Sequence, residues 1–125
     1  MHENDISGII VDCCFRIHTK LGPGLFESVY EEILCHELEK KEIEFKRQKA
    51  IPVIYDDVKL DMGFRADLVV ENKVIVEIKS IETIHPVHHK QLLTYLRLAN
   101  LKLGLLINFN EALIKDGITR IVNHL

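Results

Sequence analysis

The sequence predicts an α/β fold in which helices flank a mixed β-sheet, and three observations support this prediction. Two amphipathic helical segments come first, several short segments with β character follow, and a third helix precedes a nearly continuous apolar run. The expected order is α-α-β-β-β-β-α-β, with a further strand-like edge at the end. No repeat, low-complexity tract or linker interrupts it, so the 125 residues predict one domain, residues 1–125.

Apolar residues at helical spacing define the first two helices. The stripe of the first helix, over residues 5–21, consists of Ile6, Ile9, Ile10, Cys13, Ile17 and Leu21. The segment "GPG" at residues 22–24 ends it, because glycine supplies a positive φ and proline prevents continuation. The stripe of the second helix, over residues 26–41, consists of Phe26, Val29, Tyr30, Ile33, Leu34 and Leu38.

The remaining elements follow from turn residues and apolar runs. Asp56-Asp57 is the expected turn between two short strands. The pattern of residues 64–80 predicts a hairpin that bends at residues 71–73. Pro86 suits the first turn of a helix that runs to Ala99, with Leu92, Leu93, Leu96 and Ala99 as its buried stripe. "LKLGLLINF" is typical of a strand covered on both faces, and "GITRIVN" is expected to be a final strand or strand-like edge.

Composition excludes several classes of protein. A net charge of −3 argues against coating nucleic acid by bulk attraction, so any such contact requires a local basic patch. No apolar run approaches the ~20 residues of a membrane span, and the N-terminus does not resemble a signal peptide. The three cysteines, Cys13, Cys14 and Cys35, lack metal-ligand spacing and are expected to be buried thiols. The expected compartment is therefore the cytoplasm, without membrane association.

The hairpin "FRADLVVENKVIVEIKS" carries charged groups on strands that are otherwise apolar. With a three-residue loop at residues 71–73, the pairs are Val70 with Val74, Leu68 with Val76, and Ala66 with Ile78, which form one apolar face. A slip by one residue would mix polar and apolar faces, so burial selects this register. The same register sets Asp67 opposite Glu77. It also sets Arg65 opposite Lys79, so either the strands splay there or Arg65 turns outward.

This arrangement suggests a site for a divalent cation. The Cβ atoms of directly opposite residues lie ~5 Å apart, and two carboxylates at that distance repel each other unless a cation lies between them. Oxygen ligands that leave room for waters suit Mg²⁺ or Mn²⁺. Lys79 shares the face of Glu77, where it could orient a water or stabilise charge on a phosphate. The alternative is an ordinary exposed face carrying three charged residues, because the spacing D-x₉-E-x-K is permissive.

The same residues resemble the PD-(D/E)xK phosphodiesterase superfamily, with Asp67 as the isolated acid and Glu77-Ile78-Lys79 as the (D/E)xK triplet. The proline that usually precedes the acid is missing, since "RAD" stands there. More closely, the chain resembles the GxxExxY family, whose naming motif is "GLFESVY" at residues 24–30. The blocks "HHKQLLTYL" and "LGLLINFN" extend the likeness, which covers about residues 9–122. This resemblance implies a restriction-endonuclease-like core.

The resemblance also implies a set of site residues. The expected catalytic residues are Asp67, Glu77, Lys79 and Gln91. The expected ligands of Mg²⁺ or Mn²⁺ are Asp67, Glu77, Glu27 and the backbone carbonyl of Ile78. The expected substrate contacts are Gln91, Tyr95 and His88, of which the first two match the QxxxY step of RecB-type nucleases.

Each assignment has a plainer alternative. Glu27 is also the kind of acid that the helix macrodipole favours in a first turn, and Glu31 is a second candidate on the same flank. Tyr30 is expected to pack in the core. A QxxxY step arises equally from an exposed glutamine beside a packed tyrosine. The segment "HPVHHK" lacks a third ligand for zinc, so its histidines are expected at a phosphate-facing rim.

Two functions remain open from sequence. The first is a metal-dependent nuclease that hydrolyses DNA or RNA. The second is a non-catalytic accessory protein that binds nucleic acid or protein through a nuclease fold. The presence of both acids, the lysine and the glutamine favours the nuclease, because a decayed site would be expected to lose one of them first. A homodimer is a further hypothesis, since one small domain offers little surface for gripping a duplex.

Overall fold

The computed structural model describes residues 1–125 and contains four helices and five strands. The helices are α1 (Glu3–Leu21), α2 (Glu27–Lys40), α3 (Pro86–Ala99) and α4 (Ile114–Gly117). The strands are β1 (Phe45–Tyr55), β2 (Val58–Val70), β3 (Val74–Lys79), β4 (Leu103–Asn108) and β5 (Ile118–Val122).

The strands form one mixed sheet in the order β1-β2-β3-β4-β5. Strands β3 and β4 are parallel and are joined through α3, whereas every other neighbouring pair is antiparallel. This confirms the predicted α/β class and is consistent with a restriction-endonuclease-like core. No helix has both the length and the apolar character that crossing a membrane requires.

Two clusters of buried side chains lie on opposite faces of the sheet. The larger cluster, of 20 residues, lies between the sheet and helices α1 and α2. The smaller cluster, of 7 residues, lies between the sheet and α3, where it includes Leu92 and Leu96. All six residues of β4 are buried, as expected for a strand covered on both faces. The three cysteines are buried free thiols, as predicted.

The helix ends follow the predicted signals. Helix α1 stops at Gly22, which has φ +71°, and α3 begins at Pro86. Helix α3 ends at Asn100, which takes the left-handed conformation at φ +56°. Some predicted stripe residues are nevertheless exposed, because only the part of a helix that lies over the sheet buries its apolar face. Leu21 is 43% exposed and Phe26 is 81% exposed.

The predicted number of strands before α3 was wrong. The structure has three strands there rather than four, because residues 58–70 form one continuous strand, β2. Gly63 lies in its interior, and a Cβ at this position would come within 1.8 Å of Val53 Cγ2. The glycine therefore permits close approach of β1 and β2 rather than ending a strand. The turn at Asp56-Asp57 is confirmed, whereas the short helix α4 was not predicted.

Candidate functional site

The hairpin of β2 and β3 opens into a fork immediately beyond the predicted apolar pairs. Val70 pairs with Val74 and Leu68 with Val76, as the predicted loop requires. The ladder then ends, so the predicted pair of Ala66 with Ile78 and the facing of Arg65 and Lys79 do not form. Instead, the backbone N–H of Ile78 donates to Asp67 Oδ2 at 2.8 Å. The side chain of Asp67 therefore occupies the fork between the two strands.

At the same point, the side chains of β2 that were predicted to share one face of the sheet divide between its two faces. Leu68 packs in the cluster beneath α1 and α2, whereas Ala66 packs in the cluster beneath α3. The prediction that Ala66, Leu68 and Val70 share a face was therefore wrong for Ala66. Gln48, which the register places opposite Asp67, has φ +47°. A left-handed residue within a strand interrupts the regular ladder, and the pair of Gln48 with Asp67 is missing from it, although the register is the same on both sides. The β-bulge of these two strands lies elsewhere, between Ile51 and Val53.

Glu77 lies beside Asp67 and is only 8% exposed. Its Oε1 is buried and has no hydrogen-bond partner. Burial raises the pKa of the Glu77 carboxyl from 4.5 to about 9, and the charge of Asp67 and a hydrogen bond with it act in the same direction. Lys79 lowers this pKa by a smaller amount. Without a bound cation, Glu77 is therefore largely protonated at neutral pH.

This pair of acids fits a hydrated divalent cation. A buried carboxylate oxygen without a partner is costly, and a cation between Glu77 and Asp67 would satisfy it. No group of three or more His, Cys, Asp or Glu side chains is positioned to hold a metal ion. Structural zinc requires four such ligands, whereas Mg²⁺ is commonly held by one or two carboxylates together with waters. The donor set therefore suits Mg²⁺ or Mn²⁺.

The two helical acids of α2 occupy different places. Glu27 is exposed, and its Oε2 accepts from the backbone N–H of Ser80 at 3.0 Å, just beyond the end of β3. Glu31 is buried and is linked to Asp67 through Gln48. The Nε2 of Gln48 donates to Glu31 Oε1 at 2.8 Å and to Asp67 Oδ1 at 3.3 Å. The acid connected to Asp67 is thus Glu31, which the sequence ranked second.

Arg47 holds Glu31 in place. Its Nε and Nη2 both donate to Glu31 Oε2, at 3.2 and 2.9 Å, and its Nη1 donates to Glu32 Oε2 at 2.8 Å. These two carboxylates raise the pKa of the Arg47 guanidinium, Glu31 more than Glu32. Sequence reasoning did not select Gln48 and did not identify Arg47 as the partner of Glu31. No local pattern marks either residue, because both contacts join β1 to α2.

Helix α3 brings its polar flank to the same region. The Tyr95 ring stacks on Phe64, with ring centroids 3.6 Å apart and planes 6° from parallel. Burial raises the Tyr95 pKa, and the nearby charge of Glu77 raises it further, while a hydrogen bond with Gln91 opposes both. The predicted substrate-contacting residues Gln91 and Tyr95 therefore lie on the side of α3 that faces the acid pair.

His88 lies nearer the end of β3. Its Nδ1 accepts from the backbone N–H of His85 at 3.0 Å, as part of the cap of α3. Burial lowers the His88 pKa, and the charge of Lys79 lowers it further, whereas Glu27 opposes this shift. Lys79, Glu27 and His88 thus form a rim around the end of β3. The predicted metal ligand Glu27 belongs to this rim, not to a three-acid cluster with Asp67 and Glu77.

Tyr30 packs in the core, as expected, and also supports the rim. Its ring stacks on Phe109 at a centroid distance of 4.3 Å, and the residue is fully buried. Its hydroxyl donates to the Gly22 carbonyl at 2.6 Å and accepts from the Leu25 N–H at 3.2 Å. The Leu25 carbonyl in turn accepts from Ser80 Oγ at 2.6 Å. Tyr30 therefore fixes the loop between α1 and α2, which contacts the end of β3 through Ser80.

Comparison with known proteins gives one match. A family model described as the PD-(D/E)XK nuclease superfamily matches residues 4–121, which is nearly the whole chain. No curated protein and no solved structure matches. The matched range includes every candidate residue described above.

Proposed function

Because the chain belongs to the PD-(D/E)XK nuclease superfamily, we propose that it is a metal-dependent nuclease that hydrolyses phosphodiester bonds of DNA or RNA. One observation carries this proposal. Glu77, a buried acid with an unpartnered oxygen, lies beside Asp67, and Lys79 follows two residues later on the same strand. Buried acids with perturbed pKa values are concentrated at functional sites, and this supports the proposal.

The proposed cation is Mg²⁺ or Mn²⁺, held by Asp67 and Glu77 with the Ile78 carbonyl as a further ligand. Glu27 is proposed to approach it through a water, since its side chain is engaged with Ser80. When bound, the cation would supply charge neutralisation at the phosphate and activation of water. Ionisation of Glu77 would accompany binding, because ligand carboxylates are deprotonated.

The remaining steps belong to side chains of this protein. Lys79 would donate a hydrogen bond to the attacking water or to a phosphate oxygen, where negative charge develops. Gln91, held by Tyr95, would donate to a phosphate oxygen and fix the backbone, while His88 would contact the neighbouring phosphate. The water oxygen forms its bond to phosphorus as the bond to the leaving oxygen breaks. The attacking water gives up one proton and the leaving oxygen takes up one, so the products are a phosphate monoester and an alcohol.

The test is cleavage of labelled single-stranded, duplex and branched DNA and RNA with Mg²⁺ or Mn²⁺. We expect metal-dependent cleavage by the wild type, and a loss of at least about 100-fold in Glu77→Ala and Lys79→Ala. Lys102→Ala is the matched control, because Lys102 is exposed and precedes β4, at the end of the strand farthest from Lys79. Equal activity in the wild type and both site variants would contradict the proposal.

A second candidate function is binding without cleavage. It is favoured by the absence of a third acid or histidine beside Asp67 and Glu77. Fluorescence anisotropy with the same nucleic acids distinguishes the two functions. Binding that persists in Glu77→Ala, without cleavage by the wild type and without Mn²⁺ binding in calorimetry, would support an accessory protein.

We further propose a homodimer that forms through the outer part of the β1–β2 hairpin. Val58, Leu60 and Met62 alternate along β2 and are each more than half exposed, and Tyr55 pairs with Val58. This apolar face continues the stripe that begins at Phe64 in the cluster beneath α3. A two-fold axis would place the same face of each copy against the other. Light scattering should give a dimer that Leu60→Ser dissociates, and a monomer at every concentration would contradict it.

Three narrower assignments are also proposals. The motif Gly24-x-x-Glu27-x-x-Tyr30 supports membership of the GxxExxY family within the superfamily. Residues 1–125 are proposed to act as one nuclease-like domain, because helices on both faces pack against a single sheet. Three buried free thiols support a reducing compartment such as the cytoplasm.

A further inference from the structure

Gln48 has an unusual backbone conformation at the centre of the site. It lies within β1 and has φ +47°, a value that side chains other than glycine adopt at a cost. Its register position is opposite Asp67, where β2 and β3 begin to separate. Strained residues persist where the surrounding structure enforces them, and they cluster at functional sites.

The side chain of Gln48 uses both hydrogens of its amide. One donates to Glu31 and the other to Asp67 Oδ1, while Asp67 Oδ2 accepts from the backbone N–H of Ile78. Both oxygens of Asp67 are therefore held, one by a side chain and one by the backbone.

The other end of this bridge is firmly anchored. Glu31 is 8% exposed and accepts two hydrogen bonds from the guanidinium of Arg47. Gln48 thereby connects Glu31 of α2 to the carboxylate of Asp67 by two hydrogen bonds. Asp67 is partly exposed, and without Gln48 only the Ile78 N–H would hold its carboxylate. Metal affinity depends on groups that orient the ligands.

We propose that Gln48 is a positioning residue, which fixes Asp67 for the cation by bridging it to the Arg47–Glu31 ion pair. This inference rests on the proposed function, because it concerns the same pair of acids. It adds a residue from β1, an element that the D-x₉-E-x-K pattern does not include. It also explains why a glutamine occupies a backbone position that glycine would accept more readily.

The experiment uses Gln48→Gly, which removes the amide and relieves the strained φ, so the fold is retained. Asp56→Gly is the matched control, because Asp56 has φ +50° at the remote turn between β1 and β2. In Gln48→Gly we expect Mn²⁺ affinity, measured by electron paramagnetic resonance, to fall by about 10–100-fold. Asp56→Gly should bind Mn²⁺ as the wild type does.

A second measurement requires no metal. Hydrogen exchange of the Ile78 amide reports on the bond to Asp67, and it should become several-fold faster in Gln48→Gly but not in Asp56→Gly. Gln48→Asn provides a further variant, since asparagine tolerates φ near +50° but is too short to span both carboxylates. It should behave as Gln48→Gly does in both measurements.

The outcomes separate the two proposals. Unchanged Mn²⁺ affinity and unchanged Ile78 exchange in Gln48→Gly would overturn the positioning role. Tighter Mn²⁺ binding in this variant would also overturn it, because the amide would then be blocking the site. If the wild type binds no Mn²⁺, the proposed nuclease fails, whereas faster Ile78 exchange in the variant would still support the hold of Gln48 on Asp67.

Discussion

Replacing Glu77 with glutamine should stabilise the metal-free protein at alkaline pH. The folded protein binds the Glu77 proton with a pKa of about 9, whereas the unfolded chain releases it near 4.5. Between these values the folded state holds more protons, so the free energy of unfolding falls as pH rises. The slope is about 1.4 kcal/mol per pH unit. The contribution is fully present below pH 4.5 and is lost progressively up to about pH 9.

The magnitude follows from the same shift. From pH 4.5 to pH 8 the loss is at most about 5 kcal/mol, and we expect about 3 kcal/mol because a buried site relaxes when it ionises. Glutamine has no proton to lose, so Glu77→Gln should exceed the wild type by about 3 kcal/mol at pH 8 and nearly match it at pH 5. Urea unfolding followed by far-ultraviolet circular dichroism measures the difference.

The control is Glu39→Gln, a change at an exposed glutamate of α2 that should leave the pH dependence unaltered. Saturating Mg²⁺ should stabilise the wild type at pH 8 but not Glu77→Gln, because the cation binds the ionised carboxylate. Parallel stability profiles of the wild type and Glu77→Gln between pH 5 and pH 8 would refute the reasoning. Glu77 would then be ionised in the metal-free folded state.

Three further predictions concern the fold that supports the site. Tyr30→Phe deletes both hydroxyl hydrogen bonds but keeps the stacked ring, and it should lower the free energy of unfolding in urea by about 1–2 kcal/mol. Tyr55→Phe is the control, because the hydroxyl of Tyr55 is exposed and its loss should leave this free energy unchanged. Gly63→Ala should cost about 1–3 kcal/mol in the same assay, because its Cβ would overlap Val53; an unchanged midpoint would contradict this packing. Burial raises the pKa of Cys35 to about 11, and all three cysteines are buried. Their thiols should therefore resist a thiol-specific reagent until urea unfolds the chain. Rapid labelling of the native protein would disprove their burial.

The high pKa of Glu77 should also make the cation affinity of the site depend on pH. A neutral Glu77 avoids the repulsion from Asp67 that two ionised carboxylates would create. Cation binding must then displace a proton, so the affinity for Mn²⁺ should increase with pH through the neutral range. Glu77 would therefore be protonated without a bound cation and ionised with one.

Local sequence signals predicted most of the fold. Turn residues located the bends at Asp56-Asp57 and at residues 71–73, and apolar spacing located α1, α2 and α3. The three-residue loop fixed the first pairs of the β2–β3 hairpin, and with them the neighbourhood of Asp67 and Glu77. These signals succeed because they act over a few residues, through backbone conformation and the burial of one face.

The errors share a different origin. Parts of two strands were predicted within residues 58–70, where β2 is continuous. Gly63 lies in its interior, and the close approach of Val53 there cannot be read from the local sequence. Phe26 fits a helical stripe, yet it is exposed because it is the N-cap residue that precedes α2. Leu68 and Ala66 lie on opposite faces, and the change falls at Asp67, where the ladder to β3 ends and the carboxylate binds the Ile78 N–H.

The sequence alone determined that two acids and a lysine would meet at one end of a hairpin, since alternation and loop length allow one register that buries the apolar side chains. Only the tertiary structure decided which helical acid is linked to them. Glu27 and Glu31 lie one turn apart on α2, and sequence cannot choose between them. The choice depends on how α2 packs across β1, where Arg47 and Gln48 reach Glu31 while Glu27 reaches Ser80.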